Sequence, residues 1–221
     1  MSNCAIILTG CGKNDGTDIY EASLAAYFCD KHNISVTFFA PDHVQHNVIN
    51  HTNNSLMQDS RNCLIEAARI AQGNIEPLNT VDYDYIDLAL YPGGQGWTTS
   101  ITNYAEKTIP ITIHPDIKNF ALTMQQQQKP QGFLAITTII AATLFPNVIT
   151  TLGINQQNLD ILDKMGAQSR HALATDIIID NTHNIYSTPA SMINIGLNDI
   201  ANGIEKLITT IQEAIETKNS N

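Results

Sequence analysis

The stretch Ile86-Asp87-Leu88-Ala89-Leu90-Tyr91-Pro92-Gly93-Gly94-Gln95-Gly96 decides the fold class of this chain. Its first part, 86–91, is an almost continuous apolar run, which is typical of a strand buried on both faces of its sheet. Pro92 and the glycines that follow end this strand in a tight turn. Because helices must cover both faces of such a strand, the segment predicts an α/β protein.

Strand and helix patterns alternate on both sides of that stretch. Short apolar runs predict further strands at 4–8, 36–39, 132–134, 177–179 and 185–187, the last two as a hairpin near a sheet edge. Helical patterns cover 17–31, 63–70, 116–127, 136–145 and 193–215. This alternation predicts a mainly parallel sheet between two helical layers. With 221 residues and no low-complexity linker, we expect one domain over 1–221.

Charge and cysteine usage exclude several classes of partner. The chain has 11 Lys and Arg against 21 Asp and Glu, a net charge of −10, so neither nucleic acid nor an anionic membrane is an expected partner. No apolar run reaches the roughly 18 residues that cross a bilayer. The four cysteines form no CxxC pair, which is typical of reduced thiols. We therefore predict a cytoplasmic protein.

The glycine turn at Gly93 and Gly94 is the first candidate for chemistry. Glycines after a buried strand let the backbone approach a bound carbonyl or carboxylate, and free N–H groups can bind an oxyanion. A tight turn without a ligand explains the same residues equally well. The spacing does not match the GxGxxG fingerprint of dinucleotide sites, so no NAD is predicted, and we expect no other cofactor.

The turn after the strand 132–134 is the second candidate. A short strand that leads directly into a buried helix is the geometry of a nucleophile elbow, in which the apex side chain points into a cleft. A cysteine at such an apex would have a lowered pKa and would act as a thiolate. The apex of this chain is Ala135, which has neither a lone pair nor a proton to exchange.

Several motifs resemble one family along nearly the whole chain. They include Leu8-Thr9-Gly10-Cys11-Gly12, Phe39-Ala40-Pro41-Asp42, Pro92-Gly93-Gly94-Gln95-Gly96 and Thr188-Pro189-Ala190. In these motifs the chain is similar to the enhancing-lycopene-biosynthesis (ElbB) family of the PfpI-type, class I glutamine-amidotransferase-like superfamily. The resemblance implies a flavodoxin-like three-layer sandwich and a homodimer. It also implies a weak glyoxalase activity that converts 2-oxoaldehydes to 2-hydroxy acids without a cofactor.

The resemblance also implies where a pocket lies and how this chain departs from the family. The family places a cysteine at position 135, beside a glutamate of the first helix, which is Glu21 here. The positions that correspond to the pocket and its oxyanion-binding groups are Gly10, Gly12, Gly93, Gly94 and Ile136. Thr99 stands where the family usually has lysine. Two polar groups of one pocket are thus replaced by less reactive ones.

Two hypotheses follow from Ala135. The first is a catalytically silent or weakened relative that keeps a pocket for a small-molecule carbonyl ligand and is linked to isoprenoid biosynthesis or carbonyl metabolism. The alternative is a glyoxalase-like enzyme that works through Glu21 as a general base with a raised pKa, and through Cys11 as a displaced nucleophile with a lowered pKa. For Cys11, a small thiol in a tight turn is the favoured interpretation. No metal site is predicted, because His43, His46 and His51 lie in a polar loop without a pattern of carboxylates.

Overall fold

A seven-stranded sheet forms the centre of the computed structural model, which describes residues 2–106 and 110–219. In chain order the strands are β1 (Asn3–Ile7), β2 (Ser35–Ala40), β3 (Ile75–Pro77), β4 (Leu88–Tyr91), β5 (Gln131–Leu134), β6 (Ile178–Asp180) and β7 (Ile185–Thr188). Their order across the sheet is β6-β7-β5-β4-β1-β2-β3. Six strands are parallel, and β6 at one edge runs antiparallel to β7.

Helices cover both faces of this sheet. In chain order they are α1 (Ile19–Lys31), α2 (Cys63–Ala67), α3 (Gly96–Thr99), α4 (Pro115–Gln126), α5 (Thr138–Leu144), α6 (Gln156–Lys164) and α7 (Leu197–Asn219). Helices α1 and α7 pack together on one face, and α4 and α5 lie on the other. The mainly parallel, flavodoxin-like three-layer sandwich predicted from the sequence is confirmed.

Alternation along β1 shows why the chain folds into three layers. Cys4 and Ile6 are fully buried against α1 and α7, whereas Ala5 and Ile7 are fully buried in the cluster that contains α4 and α5. Successive side chains of a strand point to opposite faces, so an uninterrupted apolar run requires cover on both. The sheet therefore lies between two apolar clusters, and its loops are left to carry polar groups.

Two segments matter for the site. The predicted hairpin forms, but its second strand, β7, also pairs in parallel with β5 and lies inside the sheet. The turn after β7 therefore meets the turns after β4 and β5. The polar segment 42–59 is an insertion with structure of its own, in which Ile49–Asn50 pairs with Ser55–Leu56. Within the described residues, no helix combines the length and apolar character needed to cross a bilayer.

Candidate functional site

Four turns meet at the carboxyl ends of the parallel strands. They follow β1, β4, β5 and β7, and they contain Gly12, Gly93, Ala135 and Ser191 respectively. Ligands of open α/β sheets bind at this end, where loops from neighbouring strands face one another. Helix α1 starts at the same end, and its first turn supplies the buried acid of the site, Glu21.

The Glu21 carboxylate joins three separate segments of the chain. Asp18 caps α1 by accepting hydrogen bonds from the N–H groups of Tyr20 and Glu21, which fixes the first turn of the helix. The Glu21 side chain is 0% exposed. Its Oε2 accepts a hydrogen bond from the Gly93 N–H at 2.7 Å, and its Oε1 accepts one from the Ser191 N–H at 3.1 Å. Glu21 thus holds the turns after β4 and β7 against α1.

Burial raises the pKa of Glu21 above its ordinary value, and the nearby negative charge of Asp18 raises it further. Hydrogen bonds from the hydroxyl and the N–H of Ser191 and from the N–H of Gly93 act in the opposite direction. A raised pKa is what the general-base alternative requires of Glu21. However, both carboxylate oxygens already accept hydrogen bonds, which a general base would have to exchange for contact with a substrate.

Ala135 occupies the apex of a retained elbow. Its φ is +51°, a left-handed conformation that alanine rarely adopts, and it follows β5 directly as the first residue of the helical turn Ala135–Thr137. The residue is 2% exposed. Strain of this kind is typical of nucleophile elbows, where the reactive side chain needs this orientation. Here the strained turn persists and carries only a methyl group.

Gly93 and Gly94 have no Cβ, so the turn after β4 packs against its neighbours more closely than it could with any other residue at these positions. A Cβ at Gly93 would lie 2.9 Å from both the Ala135 Cβ and Glu21 Oε2, so the backbone of Gly93 faces the apex and the acid together. Gly94 has a φ of +118°, and a Cβ there would lie 2.2 Å from the backbone oxygen of Gly16. The glycine turn is thus required by packing, whether or not its N–H groups bind a ligand.

The structure does not bring together all of the other residues that the resemblance assigns to the pocket. Gly12 lines a cavity at this end of the sheet. A side chain at Gly10 would instead meet Gln45. Ile136 packs into the apolar cluster that contains α4 and α5. The hydroxyl of Thr99 donates a hydrogen bond to the backbone oxygen of Gln95 within the short helix α3.

Cys11 lies in a different electrostatic setting from the one that an activated thiol requires. Partial burial raises its pKa, and the charge of Glu66 raises it further, while Arg69 and Arg61 lower it. The result is a raised pKa, which is opposite to the lowered pKa of the enzyme hypothesis. The charges that act on Cys11 come mainly from α2 and the segments next to it. The structure therefore favours the interpretation of Cys11 as a small thiol in a turn.

The cavity beside Glu21 has a volume of about 470 Å³ and opens at the first turn of α1. Ser191, Asp18 and His51 line it together with Glu21. Sequence reasoning did not assign these three residues to a pocket. No local pattern indicates Ser191, because the position of its turn depends on the pairing of β7 with β5.

We expect Glu21→Gln to destabilise the protein. Glutamine replaces one accepting oxygen with an N–H donor, so it leaves the N–H of Gly93 or Ser191 buried without an acceptor, at a cost of about 1–3 kcal/mol. The free energy of unfolding in urea measures the change, and Glu213→Gln on the exposed side of α7 is the matched control. Equal stability of the two variants would contradict the role of Glu21 as a clamp.

Comparisons with known proteins show that the chain is similar to glutamine-amidotransferase-like proteins. No protein-family profile matches it. It is 29% identical over 219 residues to the human protein "Glutamine amidotransferase-like class 1 domain-containing protein 3, mitochondrial", covering 95% of this chain and 82% of that protein. It has the same identity and coverage to the rat "ES1 protein homolog, mitochondrial". Both names place those relatives in mitochondria, so the cytoplasmic location of this chain stays a prediction.

Solved structures give the same result. The crystal structure of an isoprenoid biosynthesis protein with an amidotransferase-like domain from Ehrlichia chaffeensis superposes with a TM-score of 0.90 at 29% identity, over 96% of this chain and 99% of that one. Drosophila melanogaster DJ-1beta superposes with a TM-score of 0.56 at 13% identity, over 98% of this chain and 97% of that one, which shows a shared fold alone. These similarities confirm the resemblance to glutamine-amidotransferase-like proteins that was inferred from the sequence.

Proposed function

We propose that this protein is a catalytically silent relative of the glutamine-amidotransferase-like proteins and that it retains a small-molecule pocket. One observation carries the proposal: the elbow keeps its strained backbone at φ +51°, but its apex residue is Ala135. Without a nucleophile, no covalent intermediate can form there. Loss of a covalent nucleophile lowers turnover by as much as about a million-fold in a well-studied hydrolase, which a weak activity would not survive.

The neighbouring groups support this proposal because none replaces the missing thiol. Both oxygens of Glu21 accept hydrogen bonds from backbone N–H groups. The thiol of Cys11 has a raised pKa, and Cys4, Cys29 and Cys63 are buried free thiols. Glu21 therefore serves as a clamp between turns. Glutamine amidotransfer is also disfavoured, because the Thr188-Pro189-Ala190 turn offers no His and Glu pair.

The experiment is a turnover assay of the purified chain with methylglyoxal and glyoxal. We expect the formation of 2-hydroxy acid to equal the rate seen with the heat-denatured protein. Glu21→Gln and Cys11→Ala are assayed in parallel, because a contaminating enzyme would be unaffected by either change. Turnover that falls in either variant would overturn the proposal and support the glyoxalase-like alternative.

Three further statements are proposals on the same footing. A role in isoprenoid biosynthesis is named for the Ehrlichia chaffeensis protein, and we extend it to this chain as a proposal. The homodimer is implied by the family resemblance, and size-exclusion chromatography with light scattering would test it. The net charge of −10 supports the absence of nucleic-acid and membrane partners.

A further inference from the structure

The insertion 42–59 contacts the rest of the molecule at its tip and at its base. At the tip, His51 lines the cavity at the first turn of α1, and its Nε2 accepts the N–H of Asn14. At the base, the ring of His43 packs against the ring of His114, with the two ring centroids 4.7 Å apart and the planes inclined at 57°. A contact between two histidines changes with pH, because each ring can gain a positive charge.

The base of the insertion is held against the segment that precedes α4. The N–H of His46 donates a hydrogen bond to the hydroxyl of Ser100 at 2.9 Å. The next residue, Ile101, accepts the N–H of His114 through its backbone oxygen at 2.8 Å. His43 completes the contact through its ring. The position of His114 therefore determines how the base of the insertion packs.

His114 has to be neutral in this arrangement. It is the N-cap of α4, and its Nδ1 accepts the N–H of Asp116 at 3.3 Å. A protonated imidazole has two N–H donors and no acceptor, so protonation would end this hydrogen bond. The added charge would also lie at the N-terminus of α4, where the helix dipole is already positive. Protonation of His114 thus disturbs the start of α4 directly.

The groups around the two rings oppose a proton on His114. Burial lowers the pKa of His114, and repulsion from His43 lowers it further, whereas the carboxylate of Asp116 raises it. Beside His43, burial raises the pKa of the Cys63 thiol to about 12, so this thiol supplies no negative charge at neutral pH. The exposed carboxylate of Asp42 accepts a hydrogen bond from a neighbouring asparagine side chain. Among the described residues, no carboxylate other than Asp116 acts on the His114 ring.

We propose that His43 and His114 form a pH-sensitive clasp, which holds the base of the insertion 42–59 at neutral pH and releases it when His114 binds a proton. The released form binds this proton more readily than the closed form does, so release is favoured as the pH falls below about 6.5, the ordinary value for histidine. Because the same insertion carries His51, release also loosens one wall of the cavity. The inference goes beyond the proposed function and does not depend on catalytic silence.

The test is hydrogen–deuterium exchange of the whole chain, measured by mass spectrometry between about pH 7.5 and about pH 5 and expressed as protection factors, which remove the intrinsic effect of pH on exchange. We expect protection of peptides from 42–59 to fall at least about threefold over this range, since one linked proton changes an opening equilibrium by at most about tenfold per pH unit. Peptides from α6, which has no part in the clasp, are the internal reference and keep their protection.

Two variants test whether the clasp causes this change. His114→Asn keeps a residue that caps helices well but does not titrate, so protection of 42–59 should no longer depend on pH. His43→Phe keeps an aromatic ring without a charge, so the fall in protection should become smaller. His171→Asn is the matched control, because His171 is exposed and lies outside the insertion, and it should show the same fall as the parent chain.

Three results would overturn the inference. The first is unchanged protection of 42–59 at acid pH in the parent chain. The second is an equal fall in 42–59 and α6, which would show general acid unfolding. The third is a fall in both His114→Asn and His43→Phe as large as in His171→Asn. The turnover assay of the proposed function is independent of all three, because exchange is measured without any substrate.

Discussion

Ala135→Cys is expected to convert the silent elbow into a reactive one. The Ala135 Cβ and Glu21 Oε2 flank the same point above Gly93, so a thiol at position 135 would lie beside the carboxyl group. Burial raises the pKa of Glu21, and its protonated form can donate a hydrogen bond that stabilises a thiolate. We expect methylglyoxal turnover to rise at least about 100-fold above the parent chain.

Turnover assays and iodoacetamide labelling measured by peptide mass spectrometry check this prediction. Background labelling is low, because Cys4, Cys29 and Cys63 are buried and the pKa of Cys11 is raised. Ala135→Ser is the control, since serine is similar in size to cysteine but has a hydroxyl in place of the thiol. If the thiol introduced by Ala135→Cys labels no faster than Cys11 and no turnover appears, the elbow has lost more than its nucleophile.

Gly94→Ala is expected to produce the largest loss of stability. The added Cβ would lie 2.2 Å from the Gly16 oxygen and 2.5 Å from the Asp18 nitrogen, both backbone atoms that cannot move independently. The clash adds to the strain of alanine at φ +118°, so we expect a loss of at least about 4 kcal/mol in the free energy of unfolding. That is a large share of the roughly 5–15 kcal/mol that stabilises a typical domain.

Gly73→Ala separates the two causes of this loss. Gly73 also has a positive φ, +86°, but nothing lies within 4 Å of an added Cβ. It should therefore lose only about 1–2 kcal/mol, the cost of the left-handed conformation. Urea unfolding measures both variants, and thermal shift with soluble yield serves if Gly94→Ala does not accumulate. If both variants lose the same free energy of unfolding, the backbone around Gly94 and Gly16 has room for an added Cβ.

The sheet and its helical cover were predictable because burial on both faces leaves a direct pattern in the sequence. The run 86–91 is apolar because β4 has a helical layer on each side. The elbow was also predictable, since a strand that leads without a loop into a buried helix has few other geometries. This pattern alone places Ala135 at the apex, and its φ of +51° agrees.

The partners of Glu21 were not predictable from local pattern. Ser191 belongs to a turn whose position depends on the pairing of β7 with β5, and a four-residue strand does not specify its partner. Likewise, the contacts of Asp15 result from the placement of the 42–59 insertion, which brings Ile49 and His51 over the loop after β1. Both contacts depend on how distant segments pack together. The pattern of apolar and polar residues indicates helices and strands, but it does not indicate such packing.

The Glu21 clamp also has a consequence for the order in which the protein folds. Its two hydrogen bonds reach residues 72 and 170 positions away along the chain. Contacts between such distant residues form late, because a large loop must close before either bond can contribute. During synthesis on the ribosome, α1 is complete long before Ser191 emerges, so the pocket can form only after the turn that follows β7 has been made. The acid at its centre is thus made long before the two turns that fix its side chain in place.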